Sequence, residues 1–182
     1  MINLPKRPSF AHLTPAFFLK GLLLSIPVAA IVFGVMSKLA IGIDVQNSAM
    51  ATSTGHRFFV ITKSPPKVER GQFIGFHSDD RVQPWFPKGA LFVKRAVGLP
   101  GDTIHLTGKQ VYIDGSYAGD LNSQTLARFL SKGRHEFLAD GQDVVVPPAH
   151  YFVMNNHPNS FDSRYWGFIS YDQIVGSAYV LF

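Results

Sequence analysis

The chain has 182 residues, a length that one or two compact units normally fill, and 46% of them are apolar, which excludes a disordered protein. It carries 17 Lys and Arg against 12 Asp and Glu, but the basic residues are scattered and form no block, so no nucleic-acid partner is expected. The absence of cysteine excludes disulfides, thiolate metal sites and a cysteine nucleophile. The 7 histidines show no metal-ligand spacing, so neither a metal nor another cofactor is expected.

A long apolar segment lies near the N-terminus. Residues 21–37 carry no charge, and with apolar residues 13–18 before them or 39–43 after them the segment reaches the ~20 residues that a helix needs to cross a bilayer. The alternative is a cleaved signal peptide, but its apolar region is usually shorter and is followed by a small-x-small cleavage site. We therefore predict a single membrane anchor in the region 13–43.

The charges around this segment predict its orientation. Three basic residues precede it and one follows closely: Lys6, Arg7 and Lys20 before it, and Lys38 after it. Because positive charge stays on the cytoplasmic side, residues 1–12 are predicted to be cytoplasmic and residues 44–182 to lie outside, in a bacterial periplasm or its equivalent.

Beyond the anchor, short runs rich in Val, Ile, Phe and Tyr alternate with turn signals and predict a mainly β, antiparallel fold. The predicted strands are 57–62, 72–76, 90–97, 103–106, 110–113, 144–146, 151–154 and 176–181. Residues 123–131 place Leu126, Phe129 and Leu130 at helical spacing. They predict a small helical insert, at about 115–143, on the β body.

The predicted strand 90–97 contains an unusual lysine. In an alternating strand Lys94 shares one face with Phe92 and Ala96. One interpretation is an edge strand whose lysine is solvated. The other is a buried amine whose pKa is lowered by desolvation, so that it can accept a proton from a serine hydroxyl in a Ser-Lys dyad.

A polar loop, Asn159-Ser-Phe-Asp-Ser-Arg164, follows the predicted strand 151–154. By itself it could be a surface turn capped by Asx and Ser side chains. Asp162 and Arg164 could instead pair across the loop, with Ser160 placed to hydrogen-bond a nearby buried amine.

Four segments together resemble the successive sequence boxes of the type I signal peptidases, the membrane-bound Ser-Lys proteases. These segments are RGQFIGF (70–76), KRAVGLPGDTI (94–104), VPPAHYFVM (146–154) and NSFDSRYWGFI (159–169). The resemblance implies a mostly antiparallel β catalytic domain behind a single anchor. It also implies a serine endopeptidase that cleaves exported precursors after small residues, with a pilin or preprotein substrate, membrane lipid and other secretion-system membrane proteins as partners.

The resemblance also assigns roles to residues. Lys94 matches the general base, and Ser160 matches the serine whose hydroxyl orients that lysine. Asp162 matches a residue that braces the site and, in the conjugation branch of the family, is implicated in activity. Three further residues take supporting roles: Arg95, Ser163 and Arg164.

The nucleophile position departs from the family pattern. In the family a serine stands immediately before a methionine just beyond the anchor, but here Ala49 precedes Met50. Three explanations are open: an engineered Ser→Ala change, a natural pseudoenzyme, or a displaced nucleophile at Ser48 or Ser53. The retained lysine favours an engineered, inactive form, because a protein without activity has no need of a costly buried amine.

The oxyanion hole of this site would be built from the same segment. The backbone N–H of residue 49 is the expected first donor, and the side chain of Asn47 or Ser48 is the expected second donor.

The form SFDSRYWG is most similar to the conjugative-transfer peptidases of the TraF type, which mature pilin subunits and in some systems join the pilin ends into a ring. We therefore expect a pilin-maturing peptidase. The alternatives are a general signal peptidase I and a non-catalytic pilus or secretion assembly protein on a peptidase fold.

Overall fold

The structure, a computed structural model, describes residues 14–43, 56, 58–64 and 66–181. The chain divides into two compact units, Met1–Lys38 and Leu39–Phe182. The second unit thus begins before residue 44, the predicted start of the β domain.

The described part of the first unit is one helix, α1 (Pro15–Lys38), of 24 residues. Thr14 caps its N-terminus by accepting a hydrogen bond from the backbone N–H of Phe17 at 3.2 Å, and the proline follows in the first helical position, where its missing N–H costs nothing. At 1.5 Å per residue the helix is about 36 Å long, enough for a hydrocarbon core of about 30 Å. None of its residues is buried, and the helix is long and apolar enough to cross a membrane.

The helix is shorter than the predicted anchor region 13–43. Residues 39–43, which could have prolonged the apolar span, instead form strand β1 (Leu39–Ile43) and pair with residues 58–62. β1 reads LAIGI, and an apolar run of this length fits a buried strand as well as the end of a helix.

The described residues of the second unit form mainly strands. The strands and α-helices, in chain order, are β1, β2 (Phe58–Thr62), β3 (Phe73–His77), β4 (Leu91–Gly98), β5 (Thr103–Thr107), β6 (Gln110–Ile113), β7 (Ser116–Asp120), α2 (Ser123–Leu130), β8 (Asp143–Val145), β9 (His150–Met154), α3 (Ser163–Trp166), β10 (Ile169–Ser170) and β11 (Ile174–Val180). A seven-stranded sheet has the order β1-β2-β11-β3-β4-β9-β10, and a four-stranded sheet has the order β7-β6-β5-β8. All pairings are antiparallel, which confirms the predicted fold class.

Each predicted strand and the predicted helix are present, with ends that differ by at most two residues. Besides β1, the prediction missed β7, α3 and β10. β7 reads SYAGD, a composition with low strand propensity, and it forms because it pairs with β6. α3 and β10 are too short to leave a periodic pattern. The predicted helical insert therefore contains a strand as well as its helix.

The main hydrophobic core receives side chains from both sheets. Ile74 and Phe152 come from the large sheet, Ile104 and Val111 come from the small one, and all four are fully buried. Burying such a side chain contributes about 1.5–3 kcal/mol. β4 and β9 are neighbours inside the large sheet. The segments that follow these two strands in the chain therefore start beside this core.

Candidate active site

The site begins on β4. This strand is an inner strand of the large sheet: it pairs with β3 along Leu91–Arg95 and with β9 at Arg95, Ala96 and Gly98. Its burial alternates, and Lys94, Ala96 and Gly98 lie on the buried face. Lys94 is only 5% exposed. The interpretation as a solvated edge strand is thereby excluded.

Gly98 at the end of β4 permits close contact with β9. A Cβ atom at this position would lie 2.7 Å from the Cβ of Phe152, closer than real side chains approach. The register between β4 and β9 shifts between Ala96 and Gly98. A larger residue would therefore force apart the two strands that position the site.

The turn after β4 is held by an ion pair. Asp102 accepts a hydrogen bond from the backbone N–H of Leu99 and pairs with Arg70 at 2.8 Å, while Arg70 also donates to the carbonyl of Val97 at 2.7 Å. Desolvation raises the pKa of Asp102, but the hydrogen bonds from Arg70 and Leu99 and the charge of Arg70 outweigh it, so the pKa lies below its ordinary value. The GLPGD motif thus fixes the end of the strand that carries Lys94.

Lys94 contacts the predicted polar loop. Its Nζ donates a hydrogen bond to the Oγ of Ser160 at 3.0 Å, and Ser160 is fully buried. The two residues stand far apart in the sequence and meet because the loop after β9 folds back over β4. A lysine amine held by a serine hydroxyl inside the protein is positioned to exchange a proton with a neighbouring nucleophile.

A buried ion pair supports the Ser160 loop. Arg164 donates two hydrogen bonds of 2.7 Å to the carboxylate of Asp162. The side chains of Arg164 and Asp162 are 2% and 0% exposed. The guanidinium of Arg164 also donates to the carbonyls of Ser160 at 3.2 Å, of His157 and of Asp120. Desolvation lowers the pKa of Arg164, but the charge and hydrogen bonds of Asp162 outweigh it and raise the pKa above its ordinary value. Arg164 thus stays charged and holds the loop by its backbone.

Two neighbours of this pair fix the rest of the loop. The Oγ of Ser163 is buried and accepts a hydrogen bond from the backbone N–H of Val153 at 2.9 Å, which ties α3 to β9. The ring of Phe161 lies 5.4 Å from Trp85 and 5.9 Å from Tyr165, so an aromatic cluster covers the opposite side of the loop.

Arg95, predicted to support the site, does not enter it. Because side chains alternate along β4, its guanidinium lies 4.0 Å from the ring of Phe73 and donates to the carbonyl of Gly71 at 3.1 Å. Among the described residues, Arg95 contributes to the site through its backbone N–H, which donates to Asn155.

Asn155 is a site residue that the sequence did not reveal. It follows β9 directly, is 2% exposed, and its backbone N–H donates to the Oδ2 of Asp162 at 3.3 Å. Its side-chain Oδ1 accepts a hydrogen bond from the backbone N–H of Arg95 at 3.2 Å. Nothing in the sequence pattern separates Asn155 from Asn156, which is exposed.

The predicted nucleophile and oxyanion positions, Asn47, Ser48, Ala49 and Ser53, lie outside the described residues. Their predicted roles therefore rest on the sequence alone. Within the described residues the structure brings together Lys94, Ser160, Asp162, Ser163 and Arg164.

Fold and site together define a class of protein. A membrane-length helix precedes an antiparallel β domain that buries a lysine-serine pair beside an ion pair. The model of the family described as "Signal peptidase, peptidase S26" matches residues 19–182, so the chain belongs to the signal peptidase family.

Similar proteins carry the same family name. A probable signal peptidase I-2 of Synechocystis sp. is 33% identical over 115 residues, which cover 63% of this chain and 48% of that protein. A signal peptidase I of Leptolyngbya laminosa is 32% identical over 122 residues, covering 65% of this chain and 54% of that protein. The crystal structure of a signal peptidase I from Enterococcus faecalis V583 is 31% identical and matches with a TM-score of 0.38, covering 63% of this chain and 98% of that one. The chain spans about half the length of the curated relatives it matches.

Proposed function

We propose that this chain is a membrane-bound endopeptidase of the signal peptidase I kind, in which Lys94 is the general base of a Ser-Lys dyad. Its substrates are exported precursors cut after small residues, and its catalytic domain lies on the outer side of a bacterial cytoplasmic membrane. The observation that carries the proposal is the buried hydrogen bond from Lys94 Nζ to Ser160 Oγ. Membership of the signal peptidase family supports it.

The proposed reaction needs a hydroxyl at position 49. The Lys94 amine takes the proton of that hydroxyl while the hydroxyl oxygen bonds to the scissile carbonyl carbon. The peptide C–N bond then breaks, and Lys94 returns the proton to the leaving amine. Water then attacks the ester carbonyl carbon while Lys94 takes its proton; the ester C–O bond breaks, the carboxyl product leaves, and Lys94 returns the proton to the serine oxygen. Ser160 orients the amine because its Oγ accepts a hydrogen bond from Lys94 Nζ.

The side chain of Ala49 has no oxygen. We therefore propose that the chain as it stands is inactive and that Ala49→Ser restores the nucleophile. Removing the nucleophile from a serine protease costs on the order of 10⁶ in kcat. A chain that processes precursors with Ala49 in place would contradict this and would assign the attack to Ser48 or Ser53.

The finer proposal is that the substrate is a conjugative pilin, and it rests on the form SFDSRYWG. Ring closure differs from hydrolysis only in the attacking group, because an amine replaces water at the acyl-enzyme. Mass spectrometry of the product separates the two outcomes, since a ring lacks the mass of one water. A general signal peptidase would instead cut unrelated exported precursors, and an assembly protein would bind the pilin without cutting it.

The test is co-expression of a precursor with Ala49→Ser, followed by gel and mass analysis of the processed form. We expect processing with Ala49→Ser and, when Lys94→Ala is added, a loss of at least about a thousandfold. Lys109→Ala is the matched control, because that lysine is exposed in the turn between β5 and β6. Undiminished processing after Lys94→Ala would exclude the dyad.

A further inference from the structure

The edge of β4 beside Lys94 extends beyond its partner strand. β4 pairs with β9 at Gly98, Ala96 and Arg95. The partner of Arg95 is Met154, the last residue of β9. The carbonyl of Val93 and the N–H of Arg95 flank Lys94 on this edge, at the place where a longer β9 would have supplied their partners. Both groups are partly buried, and a peptide group shielded from water costs free energy unless it has a hydrogen-bond partner.

The side chain of Asn155 supplies both partners. Its Oδ1 accepts from the N–H of Arg95 at 3.2 Å, and its Nδ2 donates to the carbonyl of Val93 at 3.5 Å. An amide carries a donor and an acceptor on one planar group, as a peptide bond does, whereas an ionised carboxylate only accepts. Asn155 therefore continues the ladder of β9 with its side chain and holds the two peptide groups on either side of Lys94.

The backbone of the same residue reaches the ion pair. The N–H of Asn155 donates to the Oδ2 of Asp162 at 3.3 Å, and the partner of Asp162, Arg164, donates to the carbonyl of Ser160. Asn155 thus joins the strand that carries Lys94 to the loop that carries Ser160.

We propose that Asn155 is a positioning residue that sets the Lys94 amine relative to Ser160, an inference that rests on the proposed function of this site. A misplacement of about 1 Å in a catalytic constellation can cost about a hundredfold in rate.

The first test measures processing kinetics in the Ala49→Ser background. We expect Asn155→Ala to lower kcat by about 10- to 100-fold with KM changed less than about twofold, because the proposed role of Asn155 is to place the amine and not to bind substrate. Asn156→Ala is the control, a neighbouring exposed asparagine that leaves both parameters unchanged. An Asn155→Ala enzyme with the kcat of the parent would overturn the proposal.

Asn155→Asp is a second variant for the case that Asn155→Ala folds poorly. The aspartate side chain has nearly the same size as asparagine and keeps the oxygen that accepts from Arg95. It loses the donor to Val93 and brings a negative charge near Lys94, which favours the protonated amine. We expect the acid limb of the kcat/KM profile to move to higher pH. An acid limb that stays in place in a folded Asn155→Asp enzyme would show that residue 155 does not act through Lys94.

The second test needs no activity and uses the chain with Ala49. Acetic anhydride labels the Lys94 amine, and mass spectrometry compares its rate with that of Lys109 in the same molecule. We expect Asn155→Ala to speed Lys94 labelling several-fold and Asn156→Ala to leave it unchanged; a rate within about twofold of the parent would overturn the proposal. Inactivity of Ala49→Ser would count against the proposed function but would leave this labelling result standing.

Discussion

Two polar regions of the β domain have similar hydrogen-bond distances and very different burial. At the site, Arg164 and Asp162 meet at 2.7 Å with side chains 2% and 0% exposed. On the outer face of the four-stranded sheet, His105 and Asp143 meet at 2.6 Å with side chains 36% and 68% exposed. Removing one member of a buried pair leaves a charge without water, whereas removing one member of an exposed pair leaves a charge that water solvates. Burial, and not distance, therefore decides what each pair contributes.

The alternation of the small sheet explains its polar face. Tyr117, Tyr112, His105 and Asp143 are consecutive cross-strand partners across all four strands. The opposite face of the same strands enters the core through residues such as Ile104 and Val111. An antiparallel sheet with one solvated face places polar residues there as a rule. The polar row by itself therefore indicates no site.

The largest effect is expected from breaking the buried pair. Arg164→Ala leaves the Asp162 carboxylate buried and frees three backbone carbonyls, so we expect the free energy of unfolding to fall by about 3–5 kcal/mol. Denaturation in detergent, followed by tryptophan fluorescence, measures it. A loss below about 1 kcal/mol would contradict the assignment of this pair as the support of the Ser160 loop.

A steric change at the base of the site should have the next largest effect. Gly98→Ala places a methyl group 2.7 Å from the Cβ of Phe152, so β4 and β9 must move apart. We expect a loss of about 1–3 kcal/mol by the same measurement. Gly108→Ala is a control for the added methyl alone in a turn, although its positive φ of 62° adds strain. If Gly98→Ala costs no more than that control, close contact between β4 and β9 at Gly98 does not contribute to stability.

A smaller, pH-dependent effect is expected at the turn after β4. The pKa of Asp102 is lowered in the folded chain, so its contribution to stability is present at neutral pH and is lost as the pH falls through the folded pKa. Because Arg70 is half exposed, Arg70→Gln should lower stability at pH 7 by less than about 1 kcal/mol. The difference from the parent should shrink below about pH 4, and pH-resolved denaturation curves measure it. A difference that grows in acid would reverse the sign of this linkage.

The smallest effect is expected on the outer face of the small sheet. His105→Ala removes one member of the exposed pair, and we expect stability to change by less than about 0.5 kcal/mol. The same denaturation assay checks it. A loss comparable to that of Arg164→Ala would remove the distinction between the two regions.

Local sequence pattern predicted much of the fold. The alternation of β4 placed Lys94 on an apolar face, and the structure buries it there. The same alternation places Arg95 on the opposite face of β4, whereas its position beside Lys94 in the motif predicts a supporting role. The pattern does not predict β1, because an apolar run after a helix has the composition of more helix.

The sequence by itself determined the apolar helix, the antiparallel strands and the polar residue types of the candidate site, because these depend on composition and on spacing along the chain. Only the tertiary structure decided that Lys94 meets Ser160, that Arg164 holds the loop carbonyls and that Asn155 continues β9 with its side chain. These contacts join segments distant in sequence, or distinguish one asparagine from its neighbour, and both depend on how the strands pack.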